Sequence, residues 1–341
     1  MSIDVDQPLP PLQMRRLPPS ALARQADVPM PLGGLAYGRA AWPAWMAEVN
    51  ADALGAAAPM ADLWLTGRPV RRGGHDAATW YSDGHWMLGA IELDEPDAGG
   101  LEALARGAYL QLFDALRRAG CPHLLRVWNY LPRINEDGGG LERYRQFNLG
   151  RQRAFEDAGV GVAESAPAAC ALGTRRGGLS LHFLAGQRPV VTVENPRQVS
   201  AYRYPSTYGP RPPLFSRAAL AELGGGRVAL FVSGTASIIG HASVHPGDVA
   251  EQTREILRNL EAVLDAAHHR CTARFELAAL DIVAYVRHPA QTDTVRRVLA
   301  QALGEASATL RQAVFLEADI CRSDLLVEIE AYASAPGVLH G

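Results

Sequence analysis

The sequence predicts an α+β fold made of two related units packed together, preceded by an extended Pro-rich N-terminal arm. Three observations predict it. Asp83-Gly84 sits between apolar and aromatic runs, a short-range hairpin signal. Two long segments carry apolar residues at helical spacing. The order strand, long helix, strand, helix, strand then occurs twice, over roughly 77–170 and 227–334.

Each element follows from its own pattern. Met1 to Leu32 is rich in Pro and starts acidic, and reads as an arm that packs on the body. Thr79–Leu93 is the hairpin. Leu101–Ala119 places Leu101, Leu104, Ala105, Ala108, Leu112 and Leu116 on one helical face, with Gly120 as the stop. Leu124–Tyr130 is a buried strand, and the Gly-rich stretch Pro132–Gly140 is a loop. Leu141–Asp157 resumes a helical pattern, and Leu179–Leu184 and Val190–Glu194 are short strands. Asn195 to Pro213 has no period and is full of Pro, Tyr and Arg, a type of segment that is more often functional than idle.

Val228–Ser233 is a strand ending at Ser233-Gly234. Asp248 is the N-cap of a helix over Val249–Ala267, whose apolar face is Ile256, Leu257, Leu260, Val263 and Leu264. Leu277–Val286 is a strand, Thr292–Leu303 a helix, and Gln312–Leu316 and Leu325–Ala331 close the second unit as strands.

Composition excludes several function classes. The 341 residues are 48% hydrophobic and 20% charged, ordinary for a globular protein. A formal net charge of -3 argues against nucleic acid, which calls for a basic stripe. All 33 basic residues are Arg, so Schiff-base and pyridoxal-lysine chemistry are excluded, and anions must be held by guanidinium or backbone N–H groups. Cys121, Cys170, Cys271 and Cys321 form no CxxC pair, which argues against a zinc site or a disulfide framework and fits a reducing cytoplasm. No apolar run is long enough to span a membrane. His241, His245 and Asp248 have metal-like spacing, but Pro246-Gly247 breaks any helix there, so no metal is expected. Gly138-Gly139-Gly140 and Gly224-Gly225-Gly226 lack the helix and Lys of a nucleotide loop, and no cofactor is expected.

Two resemblances extend this reading. Leu230-Phe231-Val232-Ser233-Gly234, Gln252-Thr253, Asn259-Leu260-Glu261-Ala262-Val263-Leu264 and Val327-Glu328-Ile329-Glu330-Ala331 resemble a RidA (YjgF-like) domain, in order and in spacing. Val127-Trp128-Asn129-Tyr130-Leu131-Pro132, Arg143-Tyr144-Arg145-Gln146-Phe147, Gly150-Arg151, Tyr208-Gly209-Pro210-Arg211 and the stretch Ser233–His245 resemble the chorismatase family. The resemblance implies two RidA/YjgF-like, chorismate mutase-like units. It divides the chain into the arm (1–32), an N-terminal α+β domain (33–194), a Tyr/Arg/Pro-rich active-site loop (195–226) and a RidA-like C-terminal domain (227–341). It implies conversion of chorismate to a hydroxybenzoate (3-hydroxybenzoate, with 4-hydroxybenzoate as a further product) and pyruvate. The expected partner is this small molecule, with no nucleic acid or membrane, in a cytoplasmic monomer or small homo-oligomer. A RidA-like imine/enamine deaminase and a non-catalytic metabolite-binding protein stand as alternatives.

Chorismate is a dianion, so its binding asks for two guanidinium anchors, and pyruvate release asks for a positioned acid. Glu328 and Glu330 share one face of the last strand by the period of two. An edge strand with a solvated face also explains them; the RidA-like pattern selects Glu328 as the acid, with Glu330 as the fallback. Tyr144, Asn148 and Arg151 fall on one helical stripe, with Phe147 beside it. The irregular segment offers Tyr202, Tyr208, Arg211 and Arg217 as ligands, stiffened by prolines. Gly240 permits close approach of a ligand and Cys321 precedes the last strand. Within the resemblance, Gly and Cys at these positions go with an aromatic product.

Overall fold

A computed structural model of the chain describes residues 9–22, 31–55, 59–95, 100–161 and 166–340. Among these residues β1 (Leu12–Leu17), one helical turn α1 (Pro19–Leu22), β2 (Gly33–Tyr37), β3 (Met46–Glu48), β4 (Asp52–Ala53) and β5 (Met60–Thr66) come first. The first sheet has the order β1-β5-β2-β3. Next come β6 (Arg71–His75), β7 (Ala78–Ser82), β8 (Trp86–Leu93), α2 (Gly100–Ala119), β9 (His123–Pro132), α3 (Arg143–Asp157), β10 (Ala168–Thr174) and β11 (Leu179–Gly186). They form a sheet of order β6-β7-β8-β11-β9-β10.

The remainder comprises β12 (Val191–Val193), β13 (Ala218–Glu222), β14 (Arg227–Ala236), the ribbon β15 (Ile238–Ile239) with β16 (Ala242–Ser243), α4 (Val249–His268), β17 (Asp281–Val286), α5 (Thr292–Leu303), α6 (Ala308–Gln312), β18 (Val314–Glu317) and β19 (Val327–Pro336). Their sheet has the order β12-β13-β14-β19-β17-β18, with β4 added at the far edge. Strand for strand, this order is the same as in the six-stranded sheet. In both, the pair across the second helix is parallel, β9 with β10 and β17 with β18. Tyr130 on β9 and Tyr285 on β17 hold equivalent register positions; their partners on β11 and β19 are Ser180 and Glu328.

Alternation assigns the faces of the central strands to different cores. On β14, Val228, Leu230 and Val232 pack under α4 and α5, while Ala229 and Phe231 face the six-stranded sheet. On β9, Val127 and Leu131 pack under α2 and α3, while Trp128 and Tyr130 face the seven-stranded sheet. The two large sheets therefore lie face to face, each with its helices outside. The Tyr130 and Tyr285 hydroxyls meet between them at 2.9 Å. The Asp248 side chain caps α4, accepting from the N–H groups of Ala250 and Glu251 at 3.0 Å.

Several expected boundaries need correction. Within the arm, Leu12–Leu17 is a strand paired to β5, and residues 1–8 and 23–30 lie outside the described residues. Arg16 is buried there and binds both Asp62 carboxylate oxygens, at 2.6 and 2.8 Å, and the Ile282 carbonyl at 2.7 Å. Within the span 33–194, β2, β3 and β5 join β1 in the first sheet, β4 adds to the seven-stranded sheet, and β12 pairs with β13. The loop expected over 195–226 contains core strand β13, whose small residues Ala218, Ala219 and Ala221 give no visible hydrophobic alternation. The six-stranded sheet runs from Arg71 to Gly186 rather than over 77–170, and the seven-stranded one takes in β12 and β13, before residue 227. Ala308–Gln312 is helical, so the strand expected from Gln312 starts at Val314. β14 does not stop at Ser233-Gly234; its register shifts between Val232 and Thr235, and the strand continues to Ala236.

Candidate active site

β19 is a central strand, hydrogen-bonded to β14 on one side and β17 on the other. Its even-numbered residues Glu328 and Glu330 face the six-stranded sheet and are 4% and 5% exposed, which excludes a solvated edge. The two carboxyls meet different surroundings. Glu330 is ion-paired with Arg126 and accepts from Trp128 Nε1 at 3.1 Å and Tyr285 OH at 3.2 Å. No described residue hydrogen-bonds to the Glu328 carboxyl. Burial, and then the negative charge of Glu330, push its pKa up to about 8, against the pull of Arg126 and Arg217.

Glu328 lies on a cavity of 340 Å³. Its walls come from α3, β10, the segment between β12 and β13, the end of β14, and the turn before β19. Gly234, at the β14 bulge, belongs to this wall, and a Cβ there would overlap the Glu328 carboxyl.

Two buried guanidiniums face the same space. Arg151 on α3 is 2% exposed; it donates to Asn148 Oδ1 at 2.8 Å and lies 5.0 Å over the Phe147 ring. Arg217, 6% exposed, donates to the Val199 carbonyl at 2.8 Å and to Tyr204 OH at 2.7 Å. Each leaves its buried Nε without a partner. Among the described residues neither is ion-paired; the Glu194 carboxyl lies near Arg217, whose charge lowers a pKa that burial raises. A buried cation without a counterion is costly, so this pair is built to receive anions. Tyr144, one helical turn before Asn148, completes the stripe on the cavity wall, and burial raises the pKa of its phenol.

Tyrosine and arginine side chains in contact with one another form a further wall of the cavity. Tyr204 and Tyr208, with ring centroids 5.5 Å apart, lie between Arg217 and Arg322. The Arg322 guanidinium is 4.0 Å from the Tyr208 centroid and donates to the His241 carbonyl at 2.9 Å. Tyr208 OH pairs with His241 Nδ1 at 3.2 Å. Cys321 also lines the cavity; burial and the Glu328 charge push its pKa up to about 12, so it stays a thiol at neutral pH.

Glu328, Cys321, Tyr144, Arg151, Tyr208 and Arg217 therefore meet at one cavity. Three expected ligands do not line it. The 3-10 turn Ala201–Arg203 packs Tyr202 onto the helix-side core. Arg211 is exposed and lies 3.6 Å from Glu156. Gly240 adopts a left-handed φ of +59° and joins the 197–199 loop through two backbone hydrogen bonds, and a Cβ there would meet nothing. Its glycine serves the turn, while the close approach belongs to Gly234. Arg322, Tyr204, Phe215, Cys170 and Gly234 also line the cavity, beyond the residues the sequence points to. The Gly234 signal was present, in a Ser-Gly pair within a strand-like run, where glycine often marks a bulge.

Among the described residues no group of three His, Cys, Asp or Glu side chains is arranged to hold a metal, and no helix is long and apolar enough to cross a membrane.

Residues 62–185 match the family model for the N-terminal part of FkbO/Hyg5-like chorismatases, and 223–335 match endoribonuclease L-PSP. A 3-hydroxybenzoate synthase of Streptomyces hygroscopicus is 39% identical over 285 residues, covering 80% of this chain and 81% of the relative. A chorismatase of Streptomyces rapamycinicus is 39% identical over 279 residues, covering 79% and 81%. A crystal structure of a chorismatase superposes with a TM-score of 0.83 at 31% identity, covering 97% of this chain and 100% of the other. Likeness in sequence over about 80% of the chain and in fold over 97% of it makes this chain an enzyme of the chorismatase family.

Proposed function

We propose that the enzyme converts chorismate to 3-hydroxybenzoate and pyruvate, with Glu328 as the acid. The observation that supports it is one buried carboxyl, held protonated near neutrality, on a cavity it shares with two unpaired guanidiniums. Arg151 and Arg217 each take one substrate carboxylate through a charge-assisted fork. Tyr144 and Tyr208 supply phenolic hydroxyls, and Cys321 and Gly234 shape the wall.

Glu328 delivers its proton to the enolpyruvyl methylene carbon, forming the third C–H bond of a methyl group. The Glu328 carboxylate is left, with positive charge at the ether carbon. Inside a cavity lined by Tyr204 and Tyr208, the ring hydroxyl adds to that carbon as a cyclic ketal and gives its proton back to the Glu328 carboxylate. The ring C–O bond of one bridging oxygen then breaks, and that oxygen becomes the pyruvate carbonyl as the ketal carbon's bond to the other oxygen breaks. The second oxygen stays on the ring, and the C–H proton beside it moves to it as the ring becomes aromatic. The atoms of chorismate equal those of hydroxybenzoate plus pyruvate, so the sequence consumes no water and needs no redox or electrophilic cofactor. Which ring C–O bond breaks sets 3- against 4-hydroxybenzoate. In this reading the six- and seven-stranded sheets are two RidA/YjgF-like units, with the acid on one and Arg151 on the other.

The test is to incubate the pure protein with chorismate and separate the products. Equimolar pyruvate and 3-hydroxybenzoate are expected. Release of a dihydrodiol as the main product, or no turnover, overturns the proposal.

A further inference from the structure

We propose that Arg126 is a positioning residue: by keeping Glu330 as the ionised carboxylate beneath the cavity, it makes Glu328 the carboxyl that retains the proton. This rests on the reading of Glu328 as the acid. Residues two apart on a strand project from one face about 7 Å apart, close enough in a dry interior for two like charges to compete. The donors around them are unevenly shared. Arg126, itself 2% exposed, is ion-paired with Glu330, and its other nitrogen donates to the Val232 carbonyl at 3.0 Å, beside the β14 bulge. Trp128 Nε1 and Tyr285 OH give Glu330 two further hydrogen bonds. Glu328 receives none. One cation and two further donors thus hold the Glu330 carboxylate.

The charged and titratable groups that act on Glu328 come from every element around it: Glu330 on β19, Arg126 on β9, Arg217 before β13, Cys170 on β10, Tyr144 on α3, and Cys321 before β19. Burial holds Cys170, Tyr144 and Cys321 neutral through the working range. Arg217 is a fixed cation that a substrate carboxylate neutralises. The pair Arg126–Glu330 does not line the Glu328 cavity, and it sets the balance between the two carboxyls before substrate arrives.

The experiment titrates the protonated-carboxyl infrared band of the substrate-free protein, identified by its loss in Glu328→Gln. It therefore reads the acid without requiring turnover, and a protein that never turns over chorismate fails the functional reading alone. In Glu330→Gln the Arg126 cation is left facing Glu328, so the band should titrate at least about one pH unit lower, the size expected of a nearby charge. In Arg126→Met/Glu330→Gln both charges are gone, and the midpoint should return toward the parent. The falling alkaline limb of kcat should move with the band in both variants. An unmoved midpoint in Glu330→Gln, or a double variant that titrates like Glu330→Gln, overturns the proposal. Should Glu330→Gln fail to fold with an unpaired Arg126, Arg126→Met alone decides: the band must then broaden or split as the two carboxyls share a proton, and a parental titration overturns the idea.

Discussion

Glu328 and Gly234 occupy complementary space: the carboxyl of one fills the volume that a side chain on the other would need. The contact lies at the β14 bulge, so the acid is held by a defect in the neighbouring strand as well as by its own. Gly234→Ala should displace the carboxyl from its line to the substrate carbon. We expect kcat to fall while KM, set by the arginines, changes little. A variant with parental kcat and an undisturbed Glu328 pH limb would show that the space is not needed.

Glu328→Gln keeps the shape and removes the proton. General acid catalysis is worth about 10²–10⁴-fold, so kcat should fall by that range while chorismate still binds. The parent should lose activity as pH rises through about 8, where Glu328 ionises. Stability follows the same group. Its folded pKa lies above the unfolded value, so the folded state binds the extra proton, and Glu328 weakens the fold progressively as pH rises toward about 8. Glu328→Gln should therefore raise Tm at pH 8 more than at pH 5, which a pair of melting curves will check.

Solvent deuterium gives an independent view of the same step. In the proposed mechanism the third methyl hydrogen of pyruvate comes from the Glu328 carboxyl, which exchanges with solvent between turnovers. In D₂O each pyruvate should carry one deuterium in its methyl group by mass spectrometry. Unlabelled pyruvate at early time would mean that the hydrogen comes from the substrate itself.

Arg151 and Arg217 should behave as equals. A charged hydrogen bond contributes about 1.5–3 kcal/mol, so removing either guanidinium should lower kcat/KM by about tenfold to a few hundredfold. Lys restores charge without the fork and should rescue only in part. Arg322→Leu should cost less, since a cation–π contact contributes about 0.5–2 kcal/mol. Parental kinetics in an Arg→Ala variant remove that residue from the site.

Arg16→Met tests the N-terminal strand. It strands Asp62 in the interior, and breaking a buried pair costs about 3–5 kcal/mol. Tm should drop sharply, while activity at temperatures below the transition persists. Unchanged melting would mean that Asp62 finds another partner.

The sequence showed the long elements clearly and the irregular ones poorly. α2 and α4 carry wide apolar stripes, so spacing alone located both within a residue or two. β13 is mostly Ala, and β1 carries the buried Arg16, so neither has a hydrophobic period to read. The β14 bulge resembled a strand end because Ser-Gly is also turn chemistry. In the site, Glu328, Tyr144 and Arg151 sit on regular elements whose periods project their faces, and the family resemblance singled them out. Arg322, Tyr204 and Gly234 reach the cavity only through contacts between segments far apart in the chain. Gly240 and Gly234 are not told apart in sequence, because a glycine needed for its φ and one needed for its missing Cβ look alike there.

Ser180 and Glu328 hold equivalent register positions in the two large sheets, opposite the tyrosines that touch between them. An assembly of identical chains must carry the same residue at every such position, so each substitution is repeated in every copy. A chain that holds both sheets escapes that rule. Its second position is buried, with a serine hydroxyl that no described group satisfies. Mutation there is judged by packing alone, while position 328 answers to chemistry if Glu328 is the acid as proposed, and the two halves are free to drift apart at different speeds.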